Sequence, residues 1–311
     1  MRMQEFYLST PENFRLNIRS DGKHHLPHWL KVPFPGGEKY AKVKNLIEKN
    51  SLHTICTSGN CPNKGECWAS GTATFMILGE KCTRNCRFCM VQTAKPDPPD
   101  WDEPARLAES IKILGLKHTV ITSVARDDLA DGGAAFWAFT IHTVRECCPG
   151  VTIETLIPDF QGNLAHIDQI IREEPDVISH NIETVWRLTP RIRYLATYQT
   201  SLNVLRHIAE SGIIAKSGIM VGHGETRQEV VKTMRDLKNQ GVRVLTIGQY
   251  LQPSSYHIPV QEYISPEIFE EYKKIGLDTG FDIVESGPLV RSSYHAERHV
   301  IQKKMDSHET Y

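Results

Sequence analysis

A chain of 311 residues with 23% charged residues, eight cysteines and a formal net charge of −1 holds enough apolar sequence for one large α/β domain with extensions, or for two smaller domains. The balanced charge excludes a globally basic nucleic-acid binder, and no stretch approaches the roughly 20 apolar residues of a membrane span. Residues 1–6 lack an apolar signal core, and clustered cysteines in such a chain read as metal ligands or redox groups before disulfides, so a soluble cytoplasmic protein is expected.

The first 70 residues show no sustained hydrophobic period and are rich in Pro, Gly, His and Lys. They predict an extended arm with short helices, the best of them over 39–50. Residues 1–50 carry nine Lys or Arg against five Asp or Glu, a local excess that is either solvated or offered to an acidic partner. Three cysteines follow at Cys56-x4-Cys61-x5-Cys67.

From Thr74 onward short apolar runs at 74–78, 119–124, 151–157, 177–182, 215–221 and 244–250 predict strands that alternate with helices. Leu107, Ile111 and Leu114 form an apolar stripe entered after Asp102 and Pro104 and stopped at Gly115. Another helix begins near Gly133 and closes at Cys147 and Cys148, which read as inert structural thiols. Thr226 and Glu229 make a capping box ahead of the stripe Val230, Met234 and Leu237, with a stop at Gly241. Ser265 and Pro266 open a helix that Gly280 ends. Six βα units in a row, with strands apolar throughout, predict an α/β fold with a parallel sheet. A barrel or partial barrel fits better than a doubly wound sheet, because no Gly-rich dinucleotide turn follows the first strand. In such barrels chemistry gathers at the C-terminal strand ends. Cys82-x3-Cys86-x2-Cys89 occupies the loop leaving the first strand.

Two sets of three thiols suit iron–sulfur clusters or zinc. Structural zinc favours paired knuckles, whereas the four spacings here, x4, x5, x3 and x2, do not pair. A cubane cluster on three thiolates keeps one iron free of protein ligands, where a small molecule can bind. The alternative is a fourth ligand far away in the chain.

The Cys82, Cys86, Cys89 loop after the first strand of a predicted βα barrel resembles that of the radical S-adenosylmethionine (SAM) superfamily. The second triplet, in CTSGNCPNKGECW, narrows the resemblance. With TSVARDDLADGGA (122–134), HNIETVWRL (180–188), KSGIMVGHGET (216–226), GQYLQPS (248–254) and GPLVRSSYHA (287–296), the chain is similar to the lipoyl synthases over residues 29 to 300. The resemblance implies a partial (β/α)6 TIM-type barrel at 71–255. An N-terminal arm (1–70) and a C-terminal extension (256–311) would carry an auxiliary cluster.

It further implies two [4Fe-4S] clusters. Cys82, Cys86 and Cys89 would hold the one whose open iron chelates SAM and cleaves it reductively to a 5′-deoxyadenosyl radical. Cys56, Cys61 and Cys67 would hold the auxiliary one, with a serine of RSSY as fourth ligand. The motif puts that serine at Ser293, with Ser292 the neighbouring alternative. For SAM the candidates are Thr122 and Ser123 at the second strand end, Asn181 and Glu183 at the fourth, Arg193 or Arg191, and Met220 in the GIMVGHGE run. Phe88 takes the superfamily's aromatic slot. The implied reaction inserts sulfur at C6 and C8 of an octanoyl-lysine with the auxiliary cluster as donor, at two SAM per lipoyl group. The implied partners are octanoylated lipoyl domains of 2-oxoacid dehydrogenase E2 subunits or the glycine-cleavage H protein, a low-potential electron donor and a cluster-repair carrier, with no nucleic acid or membrane. The basic arm and Arg291 are candidates for docking an acidic carrier. An enzyme of the biotin-synthase type is the alternative, but it would lack the Cys56–Cys67 triplet and the terminal RSSY.

Overall fold

The computed structural model describes residues 26–32, 36–70 and 72–300. Its strands are β1 (His53–Thr54), β2 (Thr74–Ile77), β3 (Lys81–Cys82), β4 (Gln92–Thr93), β5 (His118–Ser123), β6 (Thr152–Leu156), β7 (Val177–Ser179), β8 (Ile214–Val221), β9 (Val244–Gln249) and β10 (Ile283–Gly287). The helices are α1 (Glu38–Lys49), α2 (Ile55–Ser58), α3 (Lys64–Ala69), α4 (Glu103–Leu114), α5 (Ala134–Cys147), α6 (Leu164–Ile171), α7 (Thr189–Ile192), α8 (Tyr198–Glu210), α9 (Arg227–Asn239) and α10 (Pro266–Thr279).

One sheet runs in the order β1-β2-β5-β6-β7-β8-β9-β10. β1 is antiparallel to β2, and every later pair is parallel. Strand order follows chain order, so each helix returns the chain to the next strand on the outside of the sheet. Residues of β2, β5, β6, β8 and β9 line one common cavity, around which the sheet curls. Among the described residues the end strands β1 and β10 do not pair, so the barrel is partial.

The six expected strands are present within a residue or two, except the fourth. β7 stops at Ser179, and beyond it Glu183 rejoins β8 through a single bridge to Ile219. Glu183 has a left-handed backbone (φ 67°), which cannot continue a strand. β10 adds a seventh parallel strand inside the segment expected to be a C-terminal extension. Of its residues only Val284 is buried, so the sequence IVESG carries no apolar run to betray it.

The helix boundaries follow their local chemistry. Thr226 and Glu229 form the reciprocal capping box of α9, and Gly115 and Gly280 take left-handed C-caps at φ 65° and 100°. α1 buries Val43 and Ile47. Its C-cap residue Asn50 is tied to α4 by hydrogen bonds with Ser110 (2.7 Å) and Arg106 (3.0 Å), which fixes the N-terminal arm to the barrel.

A Cβ at Gly115 would meet open space, so only its left-handed backbone resists substitution. Gly115→Ala is expected to keep the fold and cost about 1–2 kcal/mol, read as a lower urea midpoint at unchanged slope.

Candidate active site

The turn leaving β2 is built from left-handed residues, Leu78 (φ 66°) and Gly79 (φ 88°). For Leu78 that conformation costs about 1–2 kcal/mol and needs outside support. Glu103, at the start of α4, accepts from the Leu78 amide at 2.9 Å, and Arg126 donates to the Leu78 carbonyl at 3.4 Å. Burial pushes the Glu103 carboxyl up to about 7. The clamped turn feeds β3, whose pairing with β4 closes the loop carrying Cys82, Cys86 and Cys89.

Arg84 is the fixed point of this loop. Its guanidinium donates to both Asp127 oxygens at 2.7 and 2.8 Å and pairs with Asp159 at 2.7 Å. Burial pushes these two carboxyls up, but Arg84 outweighs it and holds both below the ordinary carboxylate range. The Arg87 amide donates to Ile192 O (3.0 Å), the Ile258 amide to Arg87 O (3.1 Å), and His257 Nε2 to Cys89 O (3.0 Å). The loop is thereby tied to segments that follow β5, β6, β7 and β9.

Cys82 Sγ accepts from the amides of Arg84 and Ala125 at 3.4 and 3.3 Å. Burial raises the Cys86 thiol to about 11 against the pull of Arg193, and the Cys89 thiol to about 12 against the Val91 amide. Unaided, such thiols keep their protons. A bound cation converts them to thiolates.

The second triplet is organised by two short helices. Thr54 caps α2 by accepting from the Thr57 amide at 3.3 Å, and the Cys61 amide donates to Cys56 O at 3.1 Å. Burial raises the Cys56 thiol, against which the Thr74 amide and hydroxyl and the Trp68 indole are set. Trp68 Nε1 is buried without a conventional hydrogen-bond partner. Burial and the charges of Cys56 and Cys61 push the Cys67 thiol to about 12.

The C-terminal strap, 288–300, closes on this group. Asn63 Nδ2 donates to Leu289 O at 2.7 Å, and Thr74 Oγ1 donates to Ser293 Oγ at 2.7 Å. The adjacent Ser292 faces elsewhere, accepting from Asn181 Nδ2 at 2.7 Å. Of the two candidate serines, Ser293 is the one joined through Thr74 to Cys56.

A cavity of about 1280 Å³ collects these groups. Its lining includes Cys56, Cys61, Cys82, Cys86, Cys89, Ser292 and Ser293, together with Phe88 and the expected Thr122, Ser123, Asn181, Glu183, Arg193 and Met220. Cys67 stands just behind, within electrostatic reach of Cys56 and Cys61. Arg191 is exposed and outside the lining, so of the two arginines weighed only Arg193 reaches the site. Arg193 donates Nη1 to Asn181 O (3.0 Å) and Ile182 O (3.2 Å). The Glu183 carboxyl is raised by burial against the opposing Arg193 charge, and the Glu183 carbonyl accepts from the Met220 amide at 2.8 Å. Thr122 Oγ1 donates to Leu156 O at 3.0 Å, and Ser123 Oγ accepts from Trp137 Nε1 at 3.2 Å.

Arg291 corrects an expectation. It is half-buried and lines the cavity, where burial lowers its pKa and the neighbouring Cys61 opposes that, so it faces inward rather than toward a docked carrier. Cys148 donates to Ala108 O at 3.2 Å, as a structural thiol would. Sequence reasoning missed the Arg84, Asp127, Asp159 network. Its signal was an arginine between two cysteines of one loop and an acidic pair, Asp127 and Asp128, just past a strand end.

The donor chemistry suits clusters. Each triplet is a set of three free thiols, Cys56 buried and the other five half-buried, amide hydrogens point at Cys82 Sγ, and the Trp68 indole N–H stands beside Cys56.

The model of the radical SAM superfamily matches residues 76–237. Methylornithine synthase, a solved structure, shares the fold with a TM-score of 0.51 over 80% of this chain and 83% of that one, at 13% sequence identity. The molecule is a radical SAM α/β partial barrel. Residues 7–61 match the N-terminal domain of lipoyl synthase. The lipoyl synthase of Flavobacterium johnsoniae is 58% identical over 88% of this chain and 96% of its own length. The mitochondrial lipoyl synthase of Nematostella vectensis is 56% identical over 88% and 94%. The chain belongs to the lipoyl synthase family, and its activity is that of the family, a sulfurtransferase. Membership brings a [4Fe-4S] cluster, SAM and an auxiliary cluster. No helix among the described residues is long and apolar enough to cross a membrane.

Arg84→Ala leaves Asp159, 1% exposed, without its cation. The expected cost is about 3–5 kcal/mol, with a lower iron content per chain, measured by denaturant unfolding and iron analysis.

His223, in the turn after β8, is buried with both ring nitrogens unpartnered and is stacked on Tyr250 at 4.1 Å. Burial lowers its pKa to about 4. Below the unfolded value near 6.5 the unfolded chain takes a proton that the folded chain refuses, so this contribution is complete above pH ~6.5 and fades as pH falls toward 4. Between pH 7 and 5, His223→Leu is expected to lose about 2 kcal/mol less stability than the parent, read from urea midpoints at the two pH values.

Proposed function

We propose that the chain inserts sulfur at C6 and C8 of an octanoyl chain held in amide linkage on a carrier lysine, using two SAM molecules per lipoyl group. The observation that carries this reading is the position of the two thiol sets at opposite ends of β2. Thr74 begins the strand beside Cys56 and Ser293, and the strand leads into the Cys82 loop at its other end. Four strand residues span about 10 Å, and the cavity is continuous along them. An acyl chain lying in it reaches from one set to the other.

Cys82, Cys86 and Cys89 would hold the cluster that keeps an open iron, and Cys56, Cys61, Cys67 and Ser293 the auxiliary cluster. When bound, these groups supply the 5′-deoxyadenosyl radical that abstracts hydrogen and the sulfur that replaces it. The protein's own part is orientation and exclusion of water. Arg193 and Glu183 present opposite charges to the carboxylate and amino ends of methionine, Asn181, Thr122 and Ser123 offer polar edges, and Met220 packs at the adenine. Met76, Val124, Leu156 and Ile219 give the acyl chain apolar walls. Hydrogen abstraction of that kind would call for no general base, and the proposed roles of the cavity's polar side chains are accordingly to bind and orient.

In this reading segments 1–70 and 256–311 bring auxiliary ligands to a barrel at 71–255. The carriers are octanoylated lipoyl domains of 2-oxoacid dehydrogenase E2 subunits or the glycine-cleavage H protein. A low-potential donor and a cluster-repair carrier complete the cycle. The abundance of free thiols favours a reducing compartment such as the cytoplasm.

Iron and acid-labile sulfide per chain after anaerobic preparation test the assignment. Two clusters' worth falling to one in the Cys82/Cys86/Cys89→Ala variant, with octanoyl-peptide turnover only in the parent, is the expected outcome. Zinc without sulfide would overturn it. Ser293→Cys, which replaces a hard oxygen by thiolate, is expected to keep both clusters and to slow sulfur insertion at least tenfold, and full activity would refute the idea that a readily displaced oxygen at Ser293 helps the auxiliary cluster give up sulfur.

A further inference from the structure

Two opposite charges lie inside strands that otherwise read as apolar. Glu154 of β6 is 0% exposed and Lys216 of β8 is 1% exposed, and they pair at 2.7 and 3.0 Å. Ser179 of β7, also 0% exposed, donates to Glu154 Oε1 at 2.9 Å. Each lies two residues before a cavity-lining position: Leu156, Asn181 and Gly218. Strand alternation therefore puts all three on the inner face, one layer below the cavity toward the N-terminal strand ends.

The remaining donor of Lys216 leaves the strands. Its Nζ lies 3.2 Å from Nδ1 of His299, 1% exposed, on the C-terminal strap. An ammonium can only donate, so the imidazole accepts at Nδ1. Nε2 of that ring is buried and unpartnered, which leaves the bond to Lys216 as the one polar contact of the imidazole among the described residues. Val300, the next residue, packs on Val177, Ile214 and Val244, the opening residues of β7, β8 and β9. At its other end the strap begins with Pro288 against the amide of Gln249, the last residue of β9. It then passes Gly248, where a Cβ would overlap the Val290 carbonyl. The strap thus descends the inside of the barrel from the top of β9 to its floor, with Ser293 midway.

We propose that Lys216, oriented by Glu154 and Ser179, is the floor anchor of this strap and that His299 is the strap's matching hook, so that together they act as positioning residues presenting Ser293 to the Cys56, Cys61, Cys67 set. The inference rests on the reading of Ser293 as the fourth auxiliary ligand. Asn63 and Gly248 hold the strap above Ser293, and the anchor holds it below. A serine fixed on both sides returns to the same place after it has let go. A serine fixed on one side does not.

The test uses the anaerobically prepared holoenzyme. His299→Leu removes the hook and leaves the Lys216–Glu154 pair intact. Expected are amide exchange over 288–300 at least tenfold faster, loss of about one cluster's worth of iron and sulfide, and continued SAM cleavage without lipoyl formation. His299→Asn, whose side-chain oxygen can still accept from Lys216, is expected to restore strap protection and the second cluster. The double variant Glu154→Leu/Lys216→Met removes the charged anchor without stranding either charge, and is expected to behave as His299→Leu. Parent-like strap protection with both clusters in His299→Leu would overturn the proposal. So would equal loss of both clusters, or a mobile strap with the auxiliary cluster fully retained. A parent enzyme lacking the second cluster would instead refute the reading of Ser293 itself, while the exchange measurement would still report on the anchor.

Discussion

Strand β2 is the spacer on which the molecule depends. One thiol set gathers at its first residue and the other follows its last, and the fixed rise of extended backbone sets the distance between them. That distance is useful only if neither end moves. At the lower end Thr74 bonds Ser293 and stands against Cys56, and at the upper end Glu103 and Arg126 grip the two polar groups of Leu78. The left-handed conformation of Leu78 is held there by its neighbours, and it turns the chain sharply enough to put three cysteines over the cavity.

Buried charge does the rest of the fastening. Arg84 with Asp127 and Asp159, and Lys216 with Glu154, are sites where apolar packing of the same volume would fold at least as well. What the charges add is direction. Arg84 draws together a cysteine loop and the segments that follow two strands, and Lys216 draws in the C-terminal strap. In both cases a long cation on one segment meets carboxylates or an imidazole on others, the imidazole being that of His299 on the strap. The cost of leaving any partner unpaired makes the arrangement close to all-or-none.

Much of this was legible in the sequence, and the unread parts share a physical reason. The cysteine spacings, the six apolar strands and the caps at Gly115, Thr226 and Gly280 are local signals, and they led directly to the barrel and to the loop over its mouth. β10 escaped notice because only Val284 of its five residues is buried, so it has neither alternation nor an apolar run. Arg291 was weighed as a docking residue for an acidic carrier, and only the descent of the strap turns it inward. Likewise the partner of Lys216 is 83 residues away. No pattern of neighbours carries such a pairing. The motif RSSY left two serines open, and only long-range bonds show that one faces Asn181 and the other Thr74.

The order in which the chain is made gives the strap another meaning. Thr74 and Ser293 are 219 residues apart, so at ordinary rates of synthesis on the order of ten seconds or more separates the emergence of the auxiliary cysteines from that of the serine that closes on them. Through that interval the lower cavity lies open, with three thiols and no lid. The strap, made after all ten strands, is also the segment that runs down the barrel's interior. Closure of this end of the cavity is therefore tied to synthesis of the strap, and a chain cut short before residue 288 would keep the barrel strands while leaving the Cys56 end of its cavity uncovered.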